Sequence, residues 1–232
     1  MTVEGAGSRT PRHRTTGENR LRRALVVRGG WAGHSPYECC RIFERFLTLH
    51  DFTVEVADSL EVYTALPDVD LVVQSWTTGN LTEQQEEGLV AAVRNGAGFA
   101  GWHGGVLAFG YENPRYQYLV GGRFVFHPGG FVPHRIDIVG QHEIVSGIDG
   151  YDVLTEQYYC HVDPTLDVLA TTTFAGVEEA PETAGTVMPV VWTRRFGAGR
   201  VFVSTLGHSP DDLLLPPTRT ITERGLLWAA GG

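Results

Sequence analysis

The chain has 232 residues, a formal net charge of −9, nine histidines, 29 glycines and three cysteines, and all 18 of its basic residues are arginine. Without lysine it can build no Schiff-base aldolase, no covalently held pyridoxal phosphate and no Walker-type phosphate lysine. Acid–base work therefore falls to histidine, carboxylate, tyrosine or cysteine.

Residues 1–23 are polar and Arg-rich and lack an apolar h-region, so they read as a disordered arm rather than a secretory signal. Residues 24–232 read as one domain, with 42% hydrophobic and 19% charged residues over the whole chain. The arm holds six arginines against two carboxylates, and the body holds 12 against 25. Such an acidic body repels phosphate backbones and argues against a nucleic-acid partner. No apolar run approaches the roughly 18 residues of a membrane span. Three cysteines, with Cys39 and Cys40 adjacent, make no disulfide framework and point to a reducing cytoplasm. The sequence leaves a homo-oligomer open.

Ala24–Arg28 is a short apolar run that breaks into the glycine-rich loop Gly29–Pro36, a buried strand followed by a turn. Ser35 is placed to cap a helix with Pro36 at its first position. Apolar residues at Ile42, Phe43, Phe46, Leu47 and Leu49 continue that helix. Thr53–Ala57 and Val69–Gln74 read as strands. Thr82 and Gln85 form a capping-box pattern that opens a second helix, ended near Gly96. Ala97–Trp102 is a fourth strand, turning sharply at His103-Gly104-Gly105. Strands alternating with helices at this spacing predict a parallel sheet covered on both faces. The second half reads differently: Arg123–Phe126, Phe131–Val139, Asp152–Tyr158 and Leu166–Ala170 are strand-like with few helices between. Val187–Thr193 and Arg200–Leu206 flank the turn 196–199 as a hairpin, and a helix over Thr218–Ala230 closes the chain.

Ligands of open parallel sheets bind at the carboxyl ends of the strands. His34 follows the first strand, His103 ends the fourth and His208 follows the last, so all three are expected at one sheet edge. Gly101-Trp102-His103-Gly104-Gly105 has the form of a nucleophile elbow with histidine at its centre. Glu156 lies in an aromatic strand where a carboxylate is costly unless paired with histidine, arginine or metal. His127 and His142 sit in turns, open to either a ligand or a structural role. Trp31, Trp76 and Trp102 stand at strand ends, where core packing is the default and sugar stacking the alternative. Gly29-Gly30-Trp31-Ala32-Gly33 departs from a dinucleotide fingerprint.

Several of these pieces resemble the trehalose-utilisation, or ThuA-like, family. They are the Gly29–His34 loop, Gly98–Gly105, Gly121–Pro128, His142–Ile148, Thr155–Tyr159, Pro189–Trp192, Gly197–Phe202, Gly207-His208 and Arg224–Ala229. The resemblance spans roughly Leu25 to Ala230. It implies a flavodoxin-like, class I glutamine amidotransferase-like three-layer α/β sandwich, mostly parallel with antiparallel additions in the second half. It further implies that His103 stands where amidotransferases carry their cysteine nucleophile, so this chain is not an amidotransferase. It implies a role in the metabolism of trehalose or a related, oxidised or unoxidised, disaccharide.

Three functions compete. In a sugar-directed hydrolase, isomerase or lyase, His103 and His208 act as acid and base with Glu156 as third member, and His34, Trp102, His127, His142 and Tyr158 contact substrate. Alternatively His34, His103, His208 and Glu156 hold a divalent metal such as zinc. In the third reading the same histidines only hydrogen-bond a sugar.

Overall fold

The computed structural model describes residues 21–231. Most of the expected arm lies outside them, but Arg22 and Arg23 already belong to β1 (Arg22–Gly30). A single 3-10 turn, Ala32–His34, leads into α1 (Pro36–Leu49), followed by β2 (Phe52–Ala57), β3 (Leu71–Thr77), α2 (Glu83–Arg94) and β4 (Gly98–Trp102). Leu71, Val72 and Val73 are all buried, as are Phe99 and Ala100, because both faces of these strands are covered. The capping box forms in both directions: Gln85 N–H donates to Thr82 Oγ1 (3.3 Å) and Thr82 N–H to Gln85 Oε1 (2.9 Å). Ser35 departs from its expected role. It is left-handed (φ 44°) and its hydroxyl caps nothing, although its carbonyl accepts the Cys39 N–H at 3.0 Å.

Beyond β4 come two short helices that the periodicity did not announce, α3 (Gly104–Leu107) and α4 (Pro114–Val120). At four and seven residues they are too short to display a repeating apolar stripe. The strands β5 (Gly122–Phe126), β6 (Phe131–Ile138), β7 (Tyr151–Glu156), β8 (Tyr159–Val162), β9 (Asp167–Thr173), β10 (Val187–Phe196) and β11 (Gly199–Ser204) follow. The helices α5 (Pro210–Leu214) and α6 (Pro216–Ala229) end the fold. The run expected as one strand to Tyr158 breaks at Glu156, and β8 pairs with β5 in a separate two-stranded sheet.

The main sheet has nine strands in the order β2-β1-β3-β4-β11-β10-β9-β6-β7. β2, β1, β3, β4 and β11 are parallel, and β11–β10, β10–β9, β9–β6 and β6–β7 are antiparallel pairs. The predicted hairpin forms, running from Val191 opposite Ser204 to Phe196 opposite Gly199. One apolar layer joins α1, α5 and α6 to the sheet through Phe43, Leu47, Leu213, Ile221 and Leu226. The other joins α2, α3 and α4 through Leu89, Val93, Leu107, Tyr116 and Leu119. This is the three-layer α/β architecture that the patterning predicts.

The β6–β7 ribbon positions the site. Its ladder with β9 consists of two residue pairs, Asp137–Thr171 and Ile138–Ala170, and just beyond it the Val139 and Gly140 N–H groups donate to the Leu169 carbonyl. Tyr151 and Val153 of β7 pack with the α1–α6 layer, Tyr151 hydroxyl meets Thr218 at 3.1 Å, and Thr155 hydroxyl donates to Asp212 at 2.8 Å. These contacts fold the ribbon back, so that Glu156 at its end returns to the carboxyl edge of the parallel strands.

Candidate metal centre

Three parallel strands and the ribbon each deliver one residue. β1 ends at Gly30 and the following 3-10 turn presents His34. β4 ends at Trp102, and His103 turns the chain into α3 with φ 52° and ψ −145°. Such a conformation is strained for a residue with a Cβ and persists because its surroundings fix it. Here His103 N–H donates to Ser204 carbonyl (2.7 Å), and its ring Nδ1 lies 2.7 Å from Thr205 carbonyl. The elbow is therefore built as the sequence predicts. His208 follows β11, with its N–H donating to Asp212 Oδ2 at 3.0 Å. Glu156 closes β7.

The four side chains converge, with one ligand atom from each lying within 4.8 Å of the others. His103 Nε2 is 3.1 Å from Glu156 Oε2 and 2.9 Å from the Tyr158 hydroxyl. His208 Nδ1 is 3.3 Å from Glu156 Oε2 without hydrogen-bond alignment, which leaves that buried nitrogen unsatisfied. His34 Nδ1 pairs with the Thr77 hydroxyl at 2.8 Å. The rings of His34 and His103 are 4.7 Å apart, and those of His34 and His208 are 5.0 Å apart. Gly104 makes this approach feasible, because a Cβ there would collide with the His34 ring.

The electrostatics follow from burial. Burial pushes His34 down to about 3, with the neighbouring histidines adding to the shift. Burial also lowers His103, outweighing the Glu156 contact that favours its charge. Burial opposes charge on Glu156, but His103 and His208 overcome it and hold the carboxyl well below its usual range. Beside that carboxylate His208 is raised. The Thr205 carbonyl can only accept, so His103 Nδ1 carries a proton, and Nε2 meets both the Glu156 carboxylate and the Tyr158 hydroxyl. A proton on Nε2 or a shared cation would complete the 3.1 Å contact with Glu156, and the Tyr158 hydroxyl can donate to Nε2 when neither is there.

This donor set suits zinc: three imidazoles and a carboxylate. Two ligands about 2.1 Å from one ion are at most about 4.2 Å apart. Around a tetrahedral ion such ligands stand about 3.4 Å apart, so the His103–Glu156 pair at 3.1 Å already fits, and a pair at the 4.8 Å limit would close by about 1.4 Å. Thr77 and the Thr205 carbonyl supply the outer hydrogen bonds that fix ligand imidazoles.

The remaining predicted residues divide. The Tyr158 hydroxyl joins the cluster, and His127 Nε2 lies 3.6 Å from Glu156 Oε1, with its own Nδ1 buried and unpartnered. Trp102 is instead core: it is 1% exposed and its ring packs on Phe43 at 4.9 Å. The last residue of a strand covered on both faces points its side chain into a layer, while the next residue turns outward. His142 is also elsewhere. Its Nδ1 accepts the Ile144 N–H at 3.2 Å, and its ring lies 5.3 Å from Trp228. It lines a cavity of about 470 Å³ with Asp167 and Arg195, at the start of β9 and the end of β10. That is the sheet edge opposite the histidine centre. All three cysteines are free and buried, and burial pushes Cys39 up to about 12.

Sequence reasoning missed Phe131, whose ring lies 4.8 Å from His208, and Asp212, which accepts the His208 N–H. Asp212 had a local signal, since Ser209-Pro210-Asp211-Asp212 has the pattern of a helix N-terminus. Phe131 had none, because its approach depends on the bend of the ribbon.

The family model described as trehalose utilisation, ThuA, matches residues 23–229. This chain belongs to the ThuA family. A ThuA-like protein from Parabacteroides merdae has a similar structure, with 17% identity, a TM-score of 0.73, and 91% of this chain and 90% of that one covered. A ThuA-like protein from Bacteroides uniformis gives 14% identity and a TM-score of 0.72, covering 93% and 94%. One component of a GMP synthase from Thermoplasma acidophilum, with 10% identity, gives a TM-score of 0.55 over 92% and 96%. These likenesses show that this ThuA chain has the amidotransferase-like fold. No curated protein sequence matches it. No helix among its described residues is long and apolar enough to cross a membrane.

Proposed function

We propose that this ThuA-family chain is a divalent-metal-dependent enzyme of sugar metabolism, acting as a hydrolase, isomerase or lyase on trehalose or a related disaccharide. The convergence of His34, His103, His208 and Glu156 carries the reading. The family's description supports the sugar. A metal held there would polarise a sugar oxygen or activate water. The chain's own groups supply proton transfer. His127 is about two-fifths exposed and its Nε2 stands beside Glu156, so that nitrogen can take up or release a proton at a bound substrate. The Tyr158 hydroxyl is placed to donate to an oxygen bound next to His103. The three unpaired cysteines support a cytoplasmic setting.

A panel of oxidised and unoxidised disaccharides, assayed with chelated and zinc-reloaded protein, tests this. The expected result is turnover restored by metal and abolished in His103→Ala. Turnover that needs His103 but is indifferent to chelation would replace the metal by a His103–His208 acid–base pair. Sugar binding without turnover of any substrate would make the chain a binding module.

A further inference from the structure

We infer that Trp31 and Phe131 form an aromatic clamp that holds a neutral pyranose ring over the histidine centre. This assignment rests on the proposed function and adds the substrate-binding residues to it. Trp31 is 52% exposed and Phe131 is 56% exposed, and both lie against metal-centre histidines. The Trp31 ring is 4.8 Å from that of His34, edge-on, and the Phe131 ring is 4.8 Å from that of His208 in the same manner. Because the His34 and His208 rings are themselves 5.0 Å apart, the two aromatics border one centre.

Local structure fixes both. Gly33 leaves room for the indole, since a Cβ there would run into the Trp31 ring. Phe131 begins β6 directly opposite Glu156 in the ladder with β7, so the same register that delivers the carboxylate delivers the ring. An aromatic face beside imidazoles and a carboxylate matches a ligand with an apolar C–H face and a rim of hydroxyls, which describes a pyranose.

Charge separates a neutral sugar from a phosphorylated one. Among the described residues no arginine is hydrogen-bonded or ion-paired to the four ligands, and the chain has no lysine. A phosphate there would find no guanidinium fork to pair with, and only the metal itself would offset Glu156.

The test is calorimetric and fluorescence titration of the zinc-loaded full chain with trehalose, maltose, sucrose, lactose and glucose 6-phosphate. One of the neutral disaccharides is expected to bind saturably. Trp31→Ala and Phe131→Ala should each weaken it by about tenfold or more, while zinc stoichiometry stays at the wild-type level. Trp31→Phe and Phe131→Tyr should recover most of the affinity. Binding of a neutral sugar undiminished in both alanine variants overturns the clamp and leaves the proposed function standing. Loss of zinc together with sugar in both variants also overturns it, because the rings would then only position His34 and His208. Preference for glucose 6-phosphate overturns the neutral-sugar assignment. A wild type that takes up zinc yet neither binds nor turns over any sugar overturns clamp and proposed function together. Repeating the titration on chelated protein decides the clamp independently of the metal.

Discussion

His103 Nε2 faces Glu156 Oε2 across 3.1 Å while the opposite ring nitrogen is committed to the Thr205 carbonyl. The second contact fixes the tautomer and thereby decides what the first one means. With Nδ1 so committed, Nε2 is the ring atom left to meet the carboxylate, the Tyr158 hydroxyl at 2.9 Å or a bound cation.

A cation is the expected resolution. Chelated protein should take up about one equivalent of zinc per chain, and its melting temperature should rise with zinc concentration, because the ion binds the folded state. His103→Ala and Glu156→Gln should each abolish stoichiometric uptake, read by elemental analysis after gel filtration. Uptake equal to wild type in both variants would remove the centre from this cluster.

Gly104 sets the distance between the His34 turn and the elbow. Gly104→Ala should impair zinc binding by displacing the His34 ring, with a stability loss of about 1–3 kcal/mol from overpacking. Zinc calorimetry beside denaturant unfolding separates the two effects. Wild-type zinc affinity in this variant would show that the approach of His34 to Gly104 is not required.

The pH dependence of the metal-free protein has a definite sign. An unfolded histidine titrates near about 6.5, whereas buried His34 stays neutral down to about 3. Between those values the unfolded chain binds a proton that the folded one refuses, so stability falls as pH falls. His208 acts oppositely: its value is raised beside Glu156, so its contribution is present at low pH and lost as pH rises through the folded value. His34→Gln should therefore flatten the acid-side decline in denaturant-unfolding free energy between about pH 6.5 and 4. An unchanged slope would mean that His34 does not titrate differently in the two states.

Trp102 and His142 should behave as structural residues. Trp102→Ala should cost about 3–5 kcal/mol, as expected for a large side chain removed from a packed layer. Trp102→Phe should keep zinc affinity and sugar binding. His142→Ala should cost less than about 1 kcal/mol through its turn contact and leave both ligands unaffected. Loss of sugar affinity in either milder variant, with stability retained, would return that residue to the substrate site.

The first half of the fold was legible because its information is local. Val26, Val73 and Ala100 lie on strands whose continuous apolar runs announce burial on both faces, and the Thr82–Gln85 box marks its own helix. The carboxyl-edge rule then placed His34, His103 and His208 together. The break of β7 at Glu156, the short helices α3 and α4, and the withdrawal of Trp102 from the surface carry weaker signals. Strand ends and short helices are settled by competing contacts, as when Gln157 leaves the strand to bond the Thr172 hydroxyl at 2.7 Å.

The sequence by itself determined the alternating parallel half, the histidine at the elbow and the absence of a lysine nucleophile. It also offered Glu156 as the partner of the histidines, but only the tertiary structure decided how the carboxylate reaches them, that Phe131 reaches His208 and that His142 faces the opposite edge. The physical reason is the β6–β7 ribbon. Two ladder pairs and the packing of Tyr151, Val153 and Thr155 set its bend, and no spacing along the chain encodes where a bent ribbon ends.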